Sequence, residues 1–263
     1  MKSIDVIGLP ALTDSYENYI WLLIQNQEVY VIDPSEAEPV QEYLAEHALS
    51  LKGILITHMH HDHVAGVAAL QSIQPDLPIW GGCHNPFQLI NQRVQEGDSI
   101  ALWPNYTLNV LATPGHTEEH ISFYNQQHLF CGDTLFTAGA GRILNRGTAE
   151  QYHQSIQKLL QLPDELGFFC AHEYTQSNLE FALIADPDNL ALQQRQASTH
   201  IDYPKIQMGA LSTLGLEKRT NPFMRYQQDP LKSQLQQRGA KDSGSSRFAA
   251  LREWKDQFDR GEL

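Results

Sequence analysis

The chain has 263 residues, with 18 Lys and Arg against 31 Asp and Glu, a formal charge of −13. A body this acidic repels phosphate backbones and anionic lipid surfaces, which argues against a nucleic-acid binder or a membrane-surface protein. At 41% hydrophobic and 9% aromatic the chain can build a core, its longest apolar runs, such as Ile20–Ile24, fall far short of a membrane span, and three dispersed cysteines make no disulfide scaffold.

In chain order, the N-terminal MKSIDVIGLPALTD reads as a strand start and not as a signal peptide. With the cysteine usage of a reducing compartment, it predicts a cytoplasmic protein. Apolar, β-branched or aromatic runs predict strands at Tyr19–Ile24, Val29–Ile32, Ile54–Ile56, Leu108–Leu111, Ile121–Tyr124 and Phe168–Cys170. Helical spacing appears at Val40, Tyr43, Leu44 and His47, and again at Tyr152, Ile156, Leu159 and Leu160. Thr148 and Gln151 form a capping box for that second helix, and Pro163 ends it. This alternation predicts an α/β fold. After about residue 172 helical signals take over. Ser177 and Glu180 read as a capping box, Asp186-Pro187 as a break, and Asp188 as the cap of a helix running to about His200. Lys241–Ser246 is polar and Ser/Gly-rich, and it precedes an amphipathic segment carrying Phe248, Leu251, Trp254 and Phe258. The expected organisation is a catalytic domain over 1–172 and a smaller helical domain over 173–263.

Four of the 12 histidines fall between His58 and His63, in the pattern H-x-H-x-D-H. Alternate residues of an extended segment point the same way, so His58 and His60 can converge while Asp62 and His63 serve a second point. Imidazole and carboxylate are the usual ligands of divalent ions, zinc above all. Further ligand-type residues follow other predicted strands: His116 after 108–111, Asp133 after Leu129–Gly132, and His172 after Phe168–Ala171. Each alone is an ordinary loop residue. Together they put a candidate ligand at the end of four strands, where α/β folds collect functional loops.

The motif at 57–63, TPGHT at 113–117, CGDTLF at 131–136 and AHEYT at 171–175 resemble the metallo-β-lactamase fold superfamily. With Asn221–Arg225 and Arg252–Asp256 they resemble, more narrowly, the glyoxalase II (hydroxyacylglutathione hydrolase) family, over nearly the whole chain. The resemblance implies an αββα sandwich followed by a helical substrate-binding domain. It implies a first metal on His58, His60 and His116, a second on Asp62, His63 and His172, and Asp133 bridging the two. His61 falls on a variable position, and His120 takes at most a supporting role behind the ligands.

The implied reaction is hydrolysis of S-2-hydroxyacylglutathione thioesters, such as S-lactoylglutathione, the second step of methylglyoxal detoxification. The cofactors implied are two divalent ions, zinc foremost, with iron or manganese as alternatives. A shared bridging water would supply hydroxide at neutral pH, with Asp62 and Asp133 as catalytic groups and no side-chain nucleophile. Cys131 and Cys170 lie in apolar runs and read as packing. Arg142, Tyr174, Arg252 and Lys255 match substrate-contacting positions. Arg252 and Lys255 share one helical face, a pattern that charge spacing alone reads as an ordinary solvated surface. At Ile143–Arg146 the family usually has an aromatic and an acidic residue in a stretch one residue shorter, which implies an insertion and the loss of an aromatic contact. The expected partner is a small-molecule glutathione thioester, with no nucleic acid, no membrane and no obligate protein partner. Competing readings are hydrolysis of another thioester or a lactone, an iron-dependent oxygenase acting on glutathione persulfide, and a nuclease of the same fold.

Overall fold

The strand β2 (Asn18–Gln25) shows why the apolar runs are continuous instead of alternating. Tyr19, Trp21 and Leu23 enter a core between two sheets, while Ile20 and Leu22 enter a second core beneath helices. A strand buried on both faces is apolar at successive positions. The computed structural model, which describes residues 4–262, is accordingly layered helix, sheet, sheet, helix.

The first sheet contains β1 (Asp5–Ala11), β2, β3 (Glu28–Ile32), β4 (Ser50–Ile56), β5 (Ile79–Gly82) and β6 (Gln92–Val94), in that spatial order. The second contains β7 (Ser99–Trp103), β8 (Tyr106–Ala112), β9 (Ile121–Tyr124), β10 (His128–Gly132) and β11 (Gly167–Cys170), also in order. Pairings β3–β4, β4–β5, β5–β6 and β10–β11 are parallel. The loops that leave β4 and β10 are thereby set beside those of their parallel neighbours. Helix α1 (Glu38–Glu46), the short turn α2 (His61–Val64) and α3 (Val67–Ile73) contribute Val40, Val64, Val67 and Leu70 to the core outside the first sheet. Helix α4 (Ala149–Leu160) covers the second with Tyr152, Ile156 and Leu159.

The remaining helices are α5 (Thr175–Ala185), α6 (Leu190–Ser198), α7 (Leu214–Thr220), α8 (Pro222–Arg225), α9 (Leu231–Gln237) and α10 (Gly244–Asp259). Phe248, Leu251 and Trp254 of α10 join the same buried cluster as α4 and the outer face of β10 and β11, and Phe248 stacks on Tyr152 at 4.5 Å. Cys131 and Cys170 are fully buried in that cluster, and burial pushes both thiols well above their usual range. No helix among the described residues is long and apolar enough to cross a membrane.

Two caps differ from the sequence reading. Helix α5 begins at Thr175, two residues before Ser177, because the Glu173 carboxylate accepts from the Thr175 N–H at 3.2 Å; Ser177 lies within the helix and caps nothing. Helix α6 is capped by Asn189, whose side chain accepts from the Leu192 N–H, and not by Asp188. The tail also contains two two-residue strands: β12 (Gln207–Met208) adds to the edge of β1, and β13 (Ser212–Thr213) to β11. Strands this short leave no periodicity to read.

His128, half-buried between Tyr106 and Phe169, is held down to about 4 by burial. The unfolded chain takes up this proton near the ordinary value of 6.5 and the folded chain does not, so stability declines as pH falls across that interval. Replacing His128 with Gln is expected to flatten this part of the acid-side decline in Tm between about pH 6.5 and 4. An unchanged Tm–pH slope would contradict the assignment.

Candidate metal centre

The site is built from the segments that follow β3, β4, β8, β10 and β11. Asp33, directly after β3, has a φ of 50° and is held across the parallel pairing to β4: its carboxylate accepts from the Thr57 N–H at 2.8 Å and the Thr57 hydroxyl at 2.6 Å. His58 follows Thr57 and is fully buried. The chain is extended at His60 and then turns into α2, which swings Asp62 and His63 inward and leaves His61 exposed. His116, Asp133 and His172 are all buried and converge on the same place.

They form two sets. Ligand atoms of His58, His60, His116 and Asp133 lie within 4.8 Å of one another, and so do those of Asp62, His63 and His172. Asp133 stands between them, with Oδ2 3.4 Å from His116 Nε2 and Oδ1 3.3 and 3.2 Å from Nε2 of His63 and His172. One carboxylate oxygen thus faces each set. Asp62 Oδ2 is 3.5 Å from His172 Nε2.

The outer ring nitrogens are tied down. His116 Nδ1 donates to the Arg142 carbonyl and His172 Nδ1 to the Tyr16 carbonyl, both at 2.7 Å, while His63 Nδ1 lies 2.9 Å from Asp33 Oδ2. Each bond fixes a ring so that Nε2 faces the centre, the usual arrangement behind metal-bound imidazole. His63 Nε2 and Asp133 Oδ1 are buried with no hydrogen-bond partner. Buried polar atoms left in this state call for a ligand. Burial opposes ionisation of Asp133, but the imidazoles of His172, His63 and His116 outweigh it and hold the carboxyl well below its usual range. Burial, followed by His63 and His120, holds His58 well below the histidine range, and burial lowers His116. Carboxylate and neutral imidazole are the forms that metal binding requires. His63 goes the other way: burial opposes its charge, but Asp133 and Asp33 raise it well above the histidine range, so a metal on its Nε2 would displace a proton.

Behind the cluster, His120 Nε2 accepts from the Asp133 N–H at 3.1 Å, and its ring stacks 4.8 Å from His58. Gly132, at a φ of 48°, allows this approach, since a Cβ there would lie 2.6 Å from Thr57 Oγ1 and 2.8 Å from His120 Nε2. Asp33 was not read from the sequence. Its only signal is that of Asp133, an aspartate directly after a strand. Asp33→Asn is expected to weaken metal binding by about 10- to 100-fold through His63, with the fold retained. Metal competition against a chelator checks this, and unchanged affinity would contradict it.

The same cleft, of about 470 Å³, is lined further out by Arg142, Tyr174, Arg252 and Lys255. Tyr174 stacks parallel on His172, 4.8 Å away. Arg142 is exposed. Arg252 and Lys255 are not the solvated face that charge spacing suggests: both are 4% exposed, and both are already paired with carboxylates. Segment 143–146 forms a turn with Asn145 and Arg146 at positive φ, in which the Leu144 N–H donates to the His116 carbonyl at 2.8 Å. Leu144 is 44% exposed on the cleft wall.

Comparison with known proteins matches this architecture. The family model described as metallo-beta-lactamase superfamily matches residues 15–82 and 85–172, and that of the hydroxyacylglutathione hydrolase C-terminus matches 173–258. The hydroxyacylglutathione hydrolase of Photobacterium profundum is 42% identical, covering 96% of this chain and 99% of the relative. The chain belongs to the hydroxyacylglutathione hydrolase family. A relative of the same name from Aliivibrio salmonicida is 44% identical over 95% of this chain and 98% of its own. Among solved structures, a metallo-beta-lactamase from Staphylococcus aureus superposes with a TM-score of 0.64 at 21% identity, covering 98% of this chain and 72% of the other. ETHE1 from Myxococcus xanthus gives 0.61 at 24%, over 84% and 90%. At these identities the structures attest the fold. As a member of the hydroxyacylglutathione hydrolase family with two convergent His/Asp sets, the protein binds divalent metal.

Proposed function

We propose that this protein hydrolyses S-2-hydroxyacylglutathione thioesters, S-lactoylglutathione to lactate and glutathione, as the second step of methylglyoxal detoxification in the cytoplasm. The observation that carries the reading is the division of the Asp133 carboxylate between two ligand sets, in a cleft that also holds three cations. His58, His60 and His116 would hold one ion, Asp62, His63 and His172 the other, and Asp133 both. The ions proposed are zinc, with iron or manganese serving the same ligands. When bound, such a pair supplies hydroxide at neutral pH and polarises a carbonyl.

The chain's own residues do the rest. The bonds to Arg142 O, Tyr16 O and Asp33 keep three imidazoles in one tautomer, so the centre needs no reorganisation during turnover. Asp62 sits on the cleft side, 15% exposed, placed to orient the attacking oxygen. Thiolate leaves readily, so no strong general acid is required. Arg142, Arg252 and Lys255 give the anionic glutathionyl group a positive end to the cleft, in a chain whose net charge of −13 would otherwise repel it. The Tyr174 ring forms a wall between that end and His172. On this reading residues 1–172 supply the metal ligands and 173–263 most of the recognition. Three unpaired cysteines suit a reducing, glutathione-rich compartment.

The test is a substrate panel. S-lactoylglutathione is expected to exceed S-lactoyl-N-acetylcysteamine, which lacks both carboxylates, by about 100-fold or more in kcat/KM. Equal rates, or faster turnover of lactones, would reduce the reading to a generic metal-dependent hydrolase.

A further inference from the structure

The cations at the recognition end of the cleft are not free. Arg252 is fixed from the protein side: its Nη1 donates to the Ala140 carbonyl at 2.8 Å, and its Nε and Nη2 reach Asp256 Oδ1 at 3.1 and 3.0 Å. Lys255 differs. Its Nζ donates to Asp259, and the rings of Phe258 and Phe181 lie 5.1 and 5.7 Å away. Among the described residues no other carboxylate stands within ion-pair distance of Lys255. Asp259 also lies 3.5 Å from Arg252 Nη2 and 3.7 Å from Arg142 Nη2. Asp259 lines the cleft, as Lys255 does, whereas Asp256 does not.

Asp259 is the last residue of α10, where the helix dipole disfavours a carboxylate. Its position is therefore sustained by the cations in front of it. Three cations face two carboxylates here, so the cluster keeps one positive charge in excess and can take one further anion or exchange one of its own.

We propose that Asp259 is an internal latch on Lys255: it occupies the place of the substrate's carboxylate, and a bound glutathionyl group displaces it. The latch rests on the glutathione-thioester reading above. It sets affinity, because a carboxylate that binds Lys255 must first break the Lys255–Asp259 pair. It also assists release, because Asp259 re-forms that pair as glutathione leaves. Rotation of one side chain at a helix end is sufficient.

Steady-state kinetics of the metal-loaded enzyme test this, comparing wild type, Asp259→Asn and Asp259→Glu on S-lactoylglutathione and S-lactoyl-N-acetylcysteamine, with glutathione as competitive inhibitor. In Asp259→Asn, the KM for S-lactoylglutathione and the inhibition constant of glutathione are both expected to fall about three- to tenfold, with kcat changing far less. Asp259→Glu keeps a carboxylate and should stay near wild type. The neutral thioester should not respond to either substitution. A KM for S-lactoylglutathione that rises in Asp259→Asn would show that Asp259 supports Lys255 instead of competing for it, and an unchanged KM would show that it is not displaced; either overturns the latch. Failure of the underlying reading shows differently: wild type itself would then not prefer the glutathione thioester, and the latch would fall with it.

Discussion

Asp133→Asn is expected to leave the protein folded, with less than one bound metal per chain and hydrolysis reduced by at least about a thousandfold. The side chain is isosteric, and the surrounding backbone is held independently of it. The Tyr152 hydroxyl donates to the Asp133 and Thr134 carbonyls at 3.0 and 2.9 Å, and the Asp133 N–H remains on His120. What disappears is the charge between the sets. Oδ1 serves His63 and His172 and Oδ2 serves His116, so one substitution removes an anionic ligand from both. It also removes one of the two carboxylates, Asp133 and Asp33, that hold the His63 pKa well up against the effect of burial. Elemental analysis with a melting curve checks the prediction. A folded variant with full metal content and near-normal turnover would show that Asp133 is not shared.

The largest effect on stability is expected at Glu217, which does not line the metal cleft. Its fully buried carboxylate pairs with Arg195 through both oxygens, at 2.6 and 3.1 Å, and also accepts from the Ala138 N–H at 2.9 Å and the Asn221 side chain at 3.2 Å. Helices α6 and α7 are thus tied to the loop between Asp133 and Arg142. Glu217→Ala strands a buried guanidinium and an amide in a positive-φ turn at Ala138, and should cost about 3–5 kcal/mol in denaturant unfolding. Adding Arg195→Met should recover part of this, because the unpaired charge accounts for much of the penalty. Molecules that still fold should show a raised KM for the glutathione thioester, since the loop leads to Arg142. A loss below about 1 kcal/mol would place the stabilisation elsewhere.

The candidate ligand sets were legible because their members carry local signals: four lie within six residues, and three follow apolar strands within four residues. Asp33 was not, because its role depends on β3 pairing with β4, and nothing local separates it from any other aspartate after a strand. The sandwich came from family resemblance, since continuous apolar runs in β2 or β11 show burial on both faces without saying what covers them. Strands β5, β6 and β7, of three to five residues, are too short or too mixed to read. Arg252 and Lys255 were legible as one helical face, yet their burial was not, because it comes from packing against α4, α5 and α8. The i,i+4 spacing to Asp256 and Asp259 was nevertheless present in the sequence.

The proposed chemistry requires two metal sites acting together on a glutathione thioester. Its most direct measurement is a titration of metal-free protein with zinc, following bound metal and S-lactoylglutathione hydrolysis in the same samples. Turnover is expected to be negligible without metal and to reach its plateau only as the second equivalent per chain binds. A plateau at one equivalent, or substantial turnover by the metal-free protein, would contradict it.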